Sequence, residues 1–285
     1  MLSNKISLVK KYIKLSKLRV VELLLVTTVP SMIVSLYSMP PLNLVAYTLI
    51  GGTLLAVSAN VMNQVFEIDR DKLMTRTSDR PLVTGDLQKS SAIIYSIAMG
   101  VIGFMVLYFL TTPTAALIGL IANQFYIFVY TLILKPRTNQ NIVIGGAAGA
   151  APVLIGWTAT GSALDVGAWL LFLLVFMWTP AHFWALSIEN ESDYKNADFP
   201  MLPTQETHER SSIYIAIYSC ATVLISIAAA PVLQLGIVYL LISISLGTNL
   251  MYKSFSLYKK NIQPIKYFVF SNTYLACLLY TSPSP

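Results

Sequence analysis

Long apolar runs broken by short polar interruptions dominate the chain, and they predict an all-α fold of membrane-spanning helices. Nine runs approach the roughly 20 residues that a helix needs to cross the hydrocarbon core. They cover about 20–38, 44–66, 91–110, 113–134, 142–160, 168–188, 212–232, 234–252 and 266–280. The last is short for a full span, which less tilt or local bilayer thinning would accommodate. The residues beyond it, 281–285, read Thr-Ser-Pro-Ser-Pro and point to a native C-terminus lost or replaced.

Composition agrees with the pattern. The 285 residues are 55% hydrophobic and 11% charged, with a mean hydropathy of +0.66, too few charges to coat a soluble globule. The expected architecture is one polytopic domain over 1–285, with about nine transmembrane helices in a single bundle. Residues 1–19 form a basic, amphipathic arm with no signal peptide, since the apolar run after it is long enough to stay as a span. Cys220 and Cys277 sit in separate apolar runs without metal-ligand spacing, as expected of lipid-facing or core residues.

Charge sets the orientation. Every Lys and Arg falls in the arm (Lys5, Lys10, Lys11, Lys14, Lys17, Arg19) or near the connections after the second, fourth, sixth and eighth runs. The other connections hold a single charge, Asp165. The alternation places the N-terminus and the charged connections in the cytoplasm and the C-terminus opposite.

Two charged connections, about 67–90 and 189–211, are long and hold most of the acidic residues, as functional loops do. Their matching positions hint at duplication of a four-helix unit. The stretch 59–82 is the focus. In a helix Asn63, Glu67 and Asp71, spaced by four, fall about 40° apart along one face, with Asn60 near the same stripe. Such oxygen donors suit a divalent cation that holds phosphate oxygens. The first loop goes on to Asp69, Lys72, Arg76 and Arg80. The second offers Glu189, Glu191, Asp193 and Asp198 with Tyr194 and Lys195, and the connection after the fourth run adds Lys135 and Arg137. Carboxylates mixed with Arg and Lys suit a metal-bridged polyphosphate. A solvated charged surface is the plainer alternative, against which stands the membrane depth of Asn63 and Glu67. A cation or proton transporter built on Asn63, Glu67 and Asp71 is another.

Three further features stand out. The run 145–151, rich in Gly and Ala, follows a helical pattern without a preceding strand, so it suits close helix approach or room for a ligand chain rather than a nucleotide loop. His182, alone in the sixth run, is either a packing residue or a ligand, and His208 reads as a surface residue. Glu22 lies just inside the first span near Arg19, able to snorkel or to line the mouth of the bundle.

The motif Asn63-x3-Glu67-x3-Asp71, running on to Arg76-Thr77 and Arg80-Pro81-Leu82, resembles the first acidic motif of the UbiA-type intramembrane prenyltransferases. Two more blocks narrow the resemblance to the protoheme IX farnesyltransferase (heme O synthase) family. One runs from Tyr130 and Thr131 through Lys135 and Asn141 to Gly156 and Trp157. The other joins Trp178, Thr179, Pro180 and His182 to Asp193, Tyr194 and the Pro200 to Pro203 tetrapeptide. Three positions depart from the family pattern. Glu67 stands where Asp is usual. Pro180-Ala181 replaces Pro-Pro. Ser192-Asp193-Tyr194 replaces Asp-Asp-Tyr, which leaves Asp193 as the ligand and Glu189, one turn earlier, as a substitute.

The resemblance implies a reaction in which the farnesyl group of farnesyl diphosphate joins a vinyl group of haem B, water is added, and haem O and diphosphate leave. It implies a central cavity opening to the cytoplasmic face of the cell membrane, Mg²⁺ as cofactor, and Asn63, Glu67, Asp71, Asp193 and Glu189 as metal ligands. Arg76, Arg80, Lys135, Arg137 and Lys72 would hold the diphosphate. Tyr194, Asn141, His182 and Trp178 would complete the substrate contacts, His182 as a candidate axial ligand of haem iron. The implied partners are the two substrates, the bilayer and, transiently, haem A synthase or an oxidase assembly, with no nucleic acid. A prenyltransferase of the same fold acting on an aromatic or quinone precursor is the alternative.

Overall fold

The protein is described here by a computed structural model covering the backbone of residues 2–281 and the side chains of residues 8–18 and 26–281. The side chains of Lys5, Arg19 and Glu22, and the residues from Ser282 onward on which the expectation for the C-terminus turned, lie outside the described residues.

Every regular element among the described residues is helical. In chain order they are α1 (Leu2–Ser16), α2 (Leu18–Leu36), α3 (Leu42–Asp71), α4 (Lys89–Leu110), α5 (Pro113–Gln124), α6 (Asn141–Ala159), α7 (Val166–Glu189), α8 (Glu191–Asn196), α9 (Leu202–Gln205), α10 (His208–Val232), α11 (Gly236–Tyr258) and α12 (Pro264–Tyr280). The apolar runs of the sequence fall on α2, α3, α4, α5 with its continuation, α6, α7, α10, α11 and α12. Among the described residues seven helices, α3 to α7 with α5 taken through Leu134, and α10 and α11, are long and apolar enough by length and composition to cross a membrane. Side-chain caps fix three of the starts: Thr112 accepts from the Ala115 N–H, Asp165 from Ala168 and Thr207 from Arg210.

Three elements differ from the sequence expectation. The acidic stretch does not become loop at residue 67, because α3 continues through Asp71 and carries Glu67 and Asp71 as helical residues. The fourth run is not one regular α-helix: after Gln124 it widens into a π-helix over Phe125–Leu134. The Thr131 hydroxyl donates to the Tyr126 carbonyl five residues back at 2.9 Å, and the Lys135 N–H to Tyr130 at 2.9 Å. Short π stretches of this kind occur often at functional sites. The N-terminal arm is a helix docked on α3, with Leu15 buried among Val57, Val61 and Val65. Gln64 Nε2 donates to the Leu15 carbonyl at 2.6 Å. Lys11 and Lys14 reach Asp86 and Asp79 of the α3–α4 connection, each at 2.7 Å. These ion pairs are exposed and worth little alone, so the apolar seam holds α1.

Alternate connections collect at opposite ends of the bundle. At one end Ser35 Oγ bonds Thr160 Oγ1 at 2.9 Å, and Thr112 Oγ1 donates to the Thr158 carbonyl at 2.9 Å, joining the uncharged turns after α2, the α4–α5 turn and the end of α6. The charged connections meet at the other end. α6 is the axial helix, packed against α2, α5 and α7, and its small residues allow this. A Cβ on Gly156 would lie 2.5 Å from the Thr28 carbonyl oxygen of α2, and one on Gly145 2.3 Å from the Tyr130 ring. Both glycines serve close helix approach.

Candidate functional site

The last turns of α3 form a buried polar ladder at the charged end. Asn63, Glu67 and Asp71 are 2%, 6% and 2% exposed, and their four-residue spacing keeps them on one face. A buried carboxylate is strongly disfavoured unless paired, and each rung meets a partner from a different part of the chain. Both Glu67 oxygens accept from Lys135 Nζ, at 2.6 and 2.7 Å. Asp71 Oδ2 accepts from Arg80 Nη1. Asn63 Nδ2 donates to Thr131 Oγ1 at 3.3 Å, and its Oδ1 faces Lys17 Nζ at 3.4 Å.

The π-helix supplies Thr131 and delivers Lys135. Lys17 arrives from the joint between α1 and α2, where its backbone turns left-handed with φ 50°. Burial, with help from the nearby positive charge of Arg80, lowers the Lys17 amine to about 7 against the pull of Glu67.

Two connections close over the ladder. Thr77 Oγ1 donates to the Asp71 carbonyl at 2.8 Å, and buried Met74 anchors the turn between them. Asp193 of α8 accepts the backbone N–H groups of Thr75 and Arg76 at 3.1 and 3.0 Å. Burial pushes its carboxyl upward, but the N–H bonds from Arg76 and Thr75 win and hold it below the ordinary carboxylate value. Asn141, fully buried at the start of α6, donates to the Thr138 carbonyl at 2.6 Å and the Pro200 carbonyl at 3.2 Å. The connections after α3, after the π-helix and after α7 are thereby tied into one layer.

Not every residue singled out in the sequence joins this layer. Lys72 points outward to Asp69 at 3.0 Å, with both side chains exposed. Arg137 is exposed and reaches the Leu132 carbonyl at 3.4 Å. Glu189 is exposed at the end of α7, and Asn60 is buried one turn before Gln64, whose amide bonds its carbonyl at 3.1 Å. Arg76 is exposed, its guanidinium 5.9 Å from the centre of the half-buried Tyr194 ring.

His182 and Trp178 lie in the seam between α7 and α12. The imidazole is stacked between Trp178 and Phe268, each with ring centres 4.1 Å away, and its Nδ1 bonds Ser271 Oγ at 2.7 Å. Trp178 Nε1 donates to the Ser271 carbonyl at 2.9 Å. The packing reading of His182 describes this arrangement. His208 is half-buried rather than a free surface residue, with Nε2 3.2 Å from the Leu257 carbonyl.

Sequence reasoning did not assign Lys17, Thr75 or Thr131 to the site. Lys17 carried a signal as a cation two residues before Arg19 at the start of the first apolar run, and Thr131 stood in the block with Tyr130 and Lys135. Thr131 reaches the site through the π-helix and Thr75 through the folding of the first connection.

The donor set fits Mg²⁺. Asn63, Glu67 and Asp71 offer hard oxygen ligands, and Mg²⁺ is ordinarily held by one or two carboxylates together with substrate phosphates rather than by a protein cage. Among the described residues no three His, Cys, Asp or Glu side chains converge as a ready-made cage.

The pattern that describes the UbiA prenyltransferase family matches residues 24–274. A protoheme IX farnesyltransferase of Parafrankia sp. (strain EAN1pec) is 45% identical over 274 residues, 94% of this chain and 88% of the relative. Solved structures share the fold. Digeranylgeranylglyceryl phosphate synthase superposes with a TM-score of 0.78 at 18% identity, over 96% of each chain. A UbiA homolog from Archaeoglobus fulgidus, bound to GPP and Mg²⁺, gives 0.70 at 17% identity over 95% of this chain and 98% of its own. With its helical bundle, its paired acidic ladder and this likeness over nearly its whole length, the chain belongs to the UbiA prenyltransferase family, in the branch of the protoheme IX farnesyltransferases.

Proposed function

We propose that the protein transfers the farnesyl group of farnesyl diphosphate to a vinyl group of haem B, with addition of water, giving haem O and diphosphate. The observation that carries this reading is the ladder itself: two buried carboxylates one turn apart on α3, paired with Lys135 and Arg80 from separate segments. An isolated ion pair would need neither this burial nor this convergence. An anion carrying its own metal can take over the cations and leave the carboxylates to the metal.

The chemistry follows from these groups. The allylic C–O bond of the diphosphate breaks heterolytically when the departing oxygens are neutralised, and the electron pair leaves with diphosphate. Arg80, Lys135, Arg76 and Lys17 supply cationic donors there, with Lys72 and Arg137 able to join from the exposed edge. Bound Mg²⁺ would supply charge neutralisation to the diphosphate, held by Asn63, Glu67 and Asp71, with Asp193 and Glu189 as further ligands. The allylic carbon then bonds the vinyl group, and the resulting cation takes up water and releases a proton to give the hydroxyl. Until that bond forms the bundle interior must exclude water. The orientation follows from the positive-inside rule: nine spans, the N-terminus and the charged end in the cytoplasm, the C-terminus opposite.

The test is purified protein with Mg²⁺, farnesyl diphosphate and haem B, read by pigment analysis. Farnesylated haem is expected, lost with EDTA and restored by Mg²⁺. Product with 4-hydroxybenzoate in its place would overturn the reading. Tyr194, Asn141, Trp178 and His182 complete the proposed substrate contacts. For His182 this requires the stack with Trp178 and Phe268 to open, since both faces of the imidazole are covered. His182→Ala is expected to weaken haem B binding, measured by absorbance titration, and to leave farnesyl diphosphate binding unchanged. Unaltered haem affinity would remove His182 from the site.

A further inference from the structure

Phe199 is 3% exposed, yet two of its near neighbours are cations. Arg70 Cζ and Lys135 Nζ each lie 4.6 Å from the centre of its ring. The position of the ring is fixed from both sides along the chain. Asp198 adopts a left-handed φ of 52° and ends the turn after α8. The Phe199 N–H then donates to the Tyr194 carbonyl at 3.0 Å, and its own carbonyl accepts from Met201 at 2.8 Å. Tyr194 closes edge-on at 72° with ring centres 6.4 Å apart. Ala197, Met201 and Leu202 are buried in the same apolar cluster as Phe199.

The charges around this ring do not balance. Lys135 is satisfied by Glu67, but Arg70 Nη1 is buried without a hydrogen-bond partner among the described residues. A carboxylate in place of Phe199 would neutralise both cations. An aromatic face attracts a cation without offering it a charged acceptor, and more weakly than a charge-assisted hydrogen bond does. The ring therefore holds two cations at the end of the acidic ladder while leaving the unpartnered Arg70 Nη1 to an incoming anion.

We propose that Phe199 is a positioning residue that holds Lys135 and Arg70 for diphosphate recognition, and that Arg70 is a further diphosphate-contacting residue. This rests on reading the ladder as a diphosphate site. The test measures binding of inorganic diphosphate with Mg²⁺ to the detergent-purified full chain by calorimetry, which needs no haem chemistry. Phe199→Leu, which keeps an apolar side chain but removes the ring face, is expected to weaken diphosphate binding about fivefold to tenfold. Phe199→Tyr should stay within about twofold of the unaltered protein. Arg70→Met should weaken binding by about tenfold. The farnesyl diphosphate KM should rise more than kcat falls in the Leu variant.

Melting temperatures separate a folding defect from a site defect, and Arg70→Met decides if Phe199→Leu does not fold. Equal diphosphate binding by the Leu and Tyr variants, or unaltered binding by Arg70→Met, would overturn the proposal. The expected binding pattern without farnesylated haem from the unaltered protein would remove the haem reaction and leave this inference standing.

Discussion

Glu67→Gln is expected to reduce farnesyl transfer by at least about a hundredfold, the scale lost when one preorganised charge contact to a reacting group is removed. The amide keeps the shape of the side chain but can no longer balance Lys135, whose Nζ meets both carboxylate oxygens. The pair is deep, with side-chain exposures of 14% for Lys135 and 6% for Glu67, so a lone buried ammonium also lowers stability, by about 3 kcal/mol. Glu67→Asp separates the two effects. It retains the charge one methylene shorter, loosens the contact with Lys135, and should keep activity within about tenfold of the unaltered protein. Initial rates over a Mg²⁺ titration, with melting curves on the same samples, check both expectations. Gln and Asp variants of equal activity would show that the charge at 67 is not used in the reaction.

Asp193→Ala should have the second-largest effect, through order rather than through charge alone. Its carboxylate is the acceptor for two backbone N–H groups at the turn that leads to Arg76 and Arg80. Removing it strands both donors, at about 1–3 kcal/mol each where they stay shielded from water. The first connection should then sample open states, with activity down at least about tenfold and cleavage between residues 72 and 88 by added protease faster by a similar factor. Asp193→Asn keeps one neutral acceptor and should fall between. Unchanged proteolysis together with a raised Mg²⁺ requirement would assign Asp193 to the metal alone and sink the positioning role.

The helical runs, the alternation of charge and the ladder of Asn63, Glu67 and Asp71 are local properties, which is why the sequence alone determined them. Hydropathy over about 20 residues fixes a helix that can span, and a spacing of four fixes a shared helix face. The blocks around Gly145 and His182 led to the family for the same reason, since each is contiguous.

What the tertiary structure decided is which charges meet. Lys72, Arg76, Arg80 and Arg137 looked alike as cations in loops, yet Arg80 pairs inside with Asp71 while Lys72 turns outward to Asp69. Lys135 reaches Glu67 across 68 residues after the chain widens into a π-helix that hydropathy could not reveal. Lys17 joins the site through a left-handed joint, and Phe199 through the folded connection after α7, where its ring meets Arg70 of α3. Burial and pairing of charge depend on distances between segments remote in sequence. Periodicity specifies the face of a helix, and only packing specifies what that face meets.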